Sequence, residues 1–176
     1  KRQAFHLYNG EIGALSIVHN SFPEKNLYFT EQWVDAYGDM TGALVWHIRE
    51  LIIGATRNWC KTVIEWNLAS DPNYEPHTDG GCSQCMGAVT INGDIITRNP
   101  AYYIIAHAAK YVRPGSRRIT SNLPEDLPNV AFERPDGKIV IIVLNNGEIN
   151  KSFCIKIGSR YINSSLASGS TGTYVF

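Results

Sequence analysis

The period of the apolar residues changes once along this chain, near residue 114, and that change limits the folds open to it. Up to about residue 113, strand-like and helix-like segments alternate. "QAFHLY", "LYFTE" and "KTVIEWN" read as short apolar strands. Between them lie "EIGALSIVHNSF", stopped by Pro23, and the long apolar stretch "TGALVWHIRELIIGATRN". A polar loop, "ASDPNYEPHTDGGCSQC", leads into a hairpin pattern around Asn92-Gly93 and then a helix with Pro100 at its first position. Apolar strands alternating with helices imply parallel βα units.

Beyond "RPGS" the helical signal stops. "NVAFERPDGKIVIIVLNNG" reads as two strands around a Pro-Asp-Gly turn, "KSFCIKIG" alternates, and "SGSTGTYVF" is a last strand. The expected class is therefore α/β followed by all-β. Residues 1–113 should form part of a β/α barrel, and residues 114–176 an antiparallel β-sandwich.

Of the 176 residues, 44% are hydrophobic, enough for a sizeable core. Lys+Arg and Asp+Glu both number 16, and a net charge of zero argues against a nucleic-acid partner. No apolar run reaches membrane-spanning length. Cys82 and Cys85 form a single CxxC in a Gly/Asp-rich loop with only His77 near, too few ligands for a zinc site. Two free thiols, a loop clip and a thiol-redox pair remain open.

In parallel barrels, functional side chains gather where strands end. The first strand ends at His6 and Tyr8, the second at Glu31 followed by Gln32 and Trp33, the third at Glu65, Trp66 and Asn67. A carboxylate among aromatic rings and hydrogen-bonding groups suits a sugar, whose C–H faces stack on Trp. Glu31 follows a wholly apolar strand and is the candidate for catalysis. Glu65 should point to the opposite face, as a partner for Arg57 or Lys61. His19, His47 and His107 fall on helical patterns and read as structural. Tyr102, Tyr103 and Tyr111 read as core or interface residues.

"YFTEQ", "WNLASDPNYEPH", "GGC", "RNPAYYIIAHAAKYVRPGSRRI", "NVAFERPDGKIVIIVLNN" and "GSTGTYVF", in that order, resemble the C-terminal half of glycoside hydrolase family 30, the glucosylceramidase and β-1,6-glucanase relatives. The resemblance implies a (β/α)8 barrel with an attached β-sandwich, this chain supplying strands six to eight and the sandwich. It implies a retaining β-glycosidase in which Glu31 is the nucleophile. His6 and Tyr8 match the end of strand six, and Trp66 and Asn67 the end of strand eight. Trp33 and His77 fall where the family varies and are expected to contact substrate less uniformly. The family needs no metal or organic cofactor.

One departure is important. The family's acid/base is a Glu in an Asn-Glu-Pro setting after strand four, and these 176 residues contain no such motif. A barrel alone takes about 250 residues. The expected partners are therefore a carbohydrate substrate and either the N-terminal portion of the same enzyme or a second copy that completes the barrel. The fragment alone should be inactive, and the location secreted, periplasmic or at the cell surface. The alternative is a non-catalytic carbohydrate-binding or scaffold module built on the sandwich.

Overall fold

A computed structural model describes residues 2–176. The chain opens with β1 (Arg2–His6), α1 (Ala14–Ser21), β2 (Asn26–Glu31) and the two-residue β3 (Val34–Asp35). α2 (Met40–His47) follows, runs on as a π-helical segment over Ile48–Ala55, and leads to β4 (Cys60–Val63). β1, β2 and β4 form a parallel sheet with β2 in the centre. Leu27 and Phe29 on one face of β2 pack against Leu15 of α1 and against Leu51 and Ala55 of the π-helical segment. Full burial of such side chains contributes roughly 1.5–3 kcal/mol each. Two local features set α2 on the sheet. The Asp39 carboxylate accepts from Thr41 N and Gly42 N and so caps the helix. At Gly54 a Cβ would lie 3.0 Å from Arg49 O and 3.3 Å from the Ile12 side chain, so glycine suits this close approach.

The other face of the sheet carries Ala4, His6, Tyr28 and Thr30 and has no helix against it. Ile64 and Trp66, just past β4, remain 53% and 46% exposed. The described residues therefore form three parallel strands with their helices and no closed barrel.

After β4 come β5 (Ala69–Ser70), β6 (Cys85–Met86), β7 (Val89–Asn92) and β8 (Ile95–Arg98). β6 pairs with β3, and β5, β7 and β8 form a small sheet. The hairpin turns where Asn92-Gly93 predicts, with Gly93 at φ 59°. α3 (Pro100–Ala109) then crosses to the second half.

That half is built from β9 (Arg117–Ile119), β10 (Asn129–Glu133), β11 (Ile139–Leu144), β12 (Lys151–Ile157), β13 (Arg160–Leu166) and β14 (Thr171–Val175). A four-stranded antiparallel sheet, β14-β11-β10-β9, faces the β12–β13 hairpin. The unbroken apolar run of β11 has a physical cause. Ile142 and Leu144 pack on Ile48, Ile52 and Ile104 of the helices, while Ile141 and Val143 pack on Ile155 of β12. A strand covered on both faces does not alternate.

One core thus runs across residue 114, joining helices to sandwich. Arg57 fastens the same junction, donating from Nη1 to Ser121 Oγ and Asn129 O, each at 2.9 Å, and from Nη2 to Ser121 O at 3.0 Å. His107 on α3 meets Thr173 of β14 at 2.9 Å, and burial holds its imidazole below the ordinary histidine pKa. Tyr102 and Tyr103 contradict their expectation. They are 37% and 44% exposed and pack edge to face against each other, because the buried positions of α3 go to Ala101 and Ile104.

Candidate active site

Glu31 is the last residue of β2, and His6, the last of β1, lies beside it across the parallel ladder. A register shift between Phe5 and His6 brings this about: Phe5 pairs with Phe29, but His6 pairs with Glu31 rather than Thr30. The irregularity turns the Glu31 side chain off the helix-packed face. Tyr8 reaches over the same spot, and its hydroxyl donates to Glu31 Oε1 at 2.8 Å. His6 Nδ1 stands 3.9 Å from that oxygen, and the His6 and Tyr8 rings meet edge to face at 5.7 Å.

Partial desolvation, then the hydrogen bond to Glu31 and its negative charge, push the Tyr8 phenol up to about 12. Much of the Tyr8 ring stays exposed, so the contact with Glu31 is the cause that a single substitution can remove. The phenol therefore remains a protonated donor throughout the neutral range.

Trp33 and Trp66 come together through the backbone. They form an isolated parallel bridge, and Trp66 N donates to Gln32 O at 2.7 Å. Gln32 organises this corner. Its buried amide donates from Nε2 to Leu7 O at 3.1 Å and accepts Trp33 N at 3.0 Å on Oε1. One residue, by its side chain to Leu7 and by its backbone carbonyl to Trp66, thus connects the ends of all three parallel strands. The sequence placed Gln32 at the strand end but did not single it out; a neutral amide between Glu and Trp was the available signal.

Glu65 does not pair with Arg57 or Lys61. Its side chain, 3% exposed, meets His47 of α2, 6% exposed, with Oε1 2.9 Å from Nδ1. The strand-end alternation does send Glu65 away from Trp66, but that face is covered by a helix rather than by solvent. Asn67 is half-buried, and its Oδ1 packs on Gly87, where a Cβ would come within 2.7 Å.

His77 makes its hydrogen bonds to Glu75 and Thr78 rather than to the Glu31 cluster. Residues 71–85 fold into a loop whose cleft, about 300 Å³, is lined by Trp66, Asn67, Tyr74, His77, Thr78 and Gly81 among others. His77 Nε2 lies 3.2 Å from Glu75 Oε1. Trp33 is outside this lining. The two cysteines close the loop as a Cys82–Cys85 disulfide, which sets aside the reading as two free thiols. Among the described residues no group of three or more His, Cys, Asp or Glu is gathered to hold a metal ion.

Fold and site together define a class: strands and helices of a β/α barrel that end in a carboxylate held by a tyrosine beside a histidine, joined through one core to an antiparallel sandwich. Residues 115–174 match the Glycosyl hydrolase family 30 beta sandwich domain, and the chain as a whole has the sequence and fold of that family's enzymes. An endo-1,6-β-D-glucanase of Aspergillus fumigatus is 31% identical over 173 residues, covering 92% of this chain and 34% of the relative. One from Trichoderma harzianum is 31% identical over 151 residues, covering 81% of the chain and 30% of the relative. A solved endo-β1,6-glucanase superposes with a TM-score of 0.88 at 36% identity, over 98% of this chain and 40% of that one. The chain spans about a third of the length of these curated relatives.

Proposed function

We propose that this chain carries the nucleophile and part of the sugar site of a retaining β-glycosidase that acts on β-1,6-linked glucan. The observation behind the reading is the strand-end cluster of Glu31, Tyr8 and His6, with Trp33 and Trp66 bridged where the neighbouring strands end. The choice of β-1,6-glucan follows the relatives named above.

In this reading Glu31 attacks the anomeric carbon. The C1–O bond to the leaving sugar breaks, an ester to Glu31 forms, and water later cleaves the ester to return the carboxylate. Tyr8 Oη holds one carboxylate oxygen and leaves the other free to attack. Trp66 stacks on the C–H face of the ring, while His6 and the Asn67 amide bind hydroxyls. A second carboxyl, placed about 5–5.5 Å from Glu31, protonates the leaving oxygen and then activates water. It comes from sequence outside these 176 residues, in the rest of the same enzyme. The bare inner face of the sheet, with Ile64 and Trp66 exposed, supports the need for such a complement. A polymeric glucan substrate places the enzyme outside the cell or at its surface.

Glu31→Gln tests this in the enzyme that bears the chain. It keeps the volume and hydrogen-bonding shape but cannot form the ester. Loss of kcat on an aryl β-glucoside by about 10⁴-fold or more, with an unchanged melting temperature, is expected. Retention of a tenth of the activity would sink the assignment.

A further inference from the structure

The chain contains three Asn-Gly pairs, Asn9-Gly10, Asn92-Gly93 and Asn146-Gly147. Glycine has no side chain to shield its amide nitrogen, so that nitrogen can attack the side-chain carbonyl of the asparagine before it. We propose that Asn9 is a modification site, deamidated spontaneously in water, and that the product disturbs the Tyr8–Glu31 pair. The site rests on backbone and side-chain geometry alone; its effect on catalysis rests on the reading of Glu31 as the nucleophile.

At Asn9 the attacking nitrogen already stands beside its target. Gly10 N donates to Asn9 Oδ1 at 2.8 Å, which sets it next to the Cγ that carries this oxygen. The pair lies in the exposed bend after β1, and among the described residues no backbone carbonyl engages Gly10 N. Gly10 has φ 82°, and nothing beyond its chain neighbours lies within 4 Å of where a Cβ would stand. There is room for a ring to close.

The other two pairs are held. Asn92 is the last residue of β7 and pairs with Ile95 across the hairpin, so ring closure would break the ladder. Asn146 N donates to Asp126 O at 3.0 Å, and Asn146 Oδ1 accepts from Arg49 Nη1 at 3.4 Å. Gly147 N donates to Asn145 Oδ1 at 3.1 Å rather than to Asn146. Both pairs must open locally before they react, and the rate falls by the cost of that opening.

The step needs only water. Gly10 N gives its proton to solvent base and bonds to Asn9 Cγ. The Cγ–Nδ2 bond breaks, the departing nitrogen takes up a proton, and ammonia leaves behind a succinimide. Water then opens the ring. Addition at Cγ gives aspartate, and addition at the main-chain carbonyl gives isoaspartate. Either product puts a negative charge on the residue after Tyr8, where it repels the Glu31 carboxylate. Isoaspartate also lengthens the main chain there by a methylene, which displaces the Tyr8 hydroxyl that holds Glu31.

The enzyme that bears this chain is incubated in mildly alkaline buffer, sampled over time, digested and mapped by mass spectrometry, with isoaspartate counted by enzymatic methylation. Asn9 should convert at least about tenfold faster than Asn92 or Asn146. Similar rates at the three positions overturn the site. Activity on an aryl β-glucoside should fall in step with the loss of Asn9. Asn9→Gln, which would have to close a larger ring, should keep its own starting activity over the same period. An equal loss in both proteins, or full activity after Asn9 has converted, overturns the effect on the Tyr8–Glu31 pair. If the parent hydrolyses no β-glucoside, the proposed function fails, and the mapping still decides the site.

Discussion

Tyr8 and Glu31 are 23 positions apart in the sequence, and 2.8 Å separates their oxygens. A hydrogen bond to a carboxylate is worth about 1.5–3 kcal/mol, more than most neutral ones. Here it also fixes which oxygen of Glu31 is engaged. The sign of the phenol's shift has a consequence for pH. With the Tyr8 pKa raised to about 12, the hydroxyl is protonated and donating at every pH where such an enzyme works. Loss of activity in mildly alkaline solution would then come from another group. Tyr8→Phe should lower kcat about 10- to 100-fold and leave the alkaline limb of the kcat/KM profile where it is. An alkaline limb that moves in Tyr8→Phe would show that the phenol titrates in the working range, against this account.

The end of β4 shows what an element contributes. Ile64 N donates to Phe29 O and Trp66 N to Gln32 O, so the strand stays tied to β2 past its regular ladder. Glu65 lies between these two bonds and ties the same stretch to α2 through His47. A buried pair such as this is costly to break, because removing one partner leaves the other alone in the interior. Glu65→Ala should lower unfolding free energy by about 3 kcal/mol or more, read by denaturant titration. His47→Leu together with Glu65→Leu should recover much of that loss. A loss under about 0.5 kcal/mol for Glu65→Ala would mean that the pair behaves as an exposed one. The alternation in "KTVIEWN" gave the direction of Glu65 correctly. It could not give the partner, because His47 is 18 residues away on another layer. The disulfide was likewise undecided by spacing, since a CxxC in a loop fits several chemistries.

At the scale of the whole molecule, the change of texture near residue 114 was plain in the sequence, and the core that crosses it was not. Helix period and strand period describe each half by itself. Neither shows that Ile142 and Leu144 of β11 rest on the helices while Ile141 and Val143 of the same strand rest on β12. The six apolar residues of "IVIIVL" were the trace of that double cover. Turns with strong local chemistry, Asn92-Gly93 and Pro135-Asp136-Gly137, were legible because glycine alone takes their positive φ cheaply. The two-residue strands β3, β5 and β6 were not, since a pair of residues has no period. β13 was missed as well. "RYINSSL" is mostly exposed and polar, on the outer hairpin of the sandwich. The strand ends that carry the candidate site were legible because parallel sheets expose functional groups there, and the bulge that turns Glu31 beside His6 was beyond any local pattern.

The central claim is that Glu31 becomes covalently joined to the sugar. A 2-fluoro β-glucoside with an activated leaving group slows hydrolysis of the ester more than its formation, so the glycosyl-enzyme accumulates. Mass spectrometry of the digested enzyme should then place one fluoroglucosyl group on the peptide that contains Glu31. The same label on a different carboxylate, or full turnover with no labelled peptide at any time, would contradict the account.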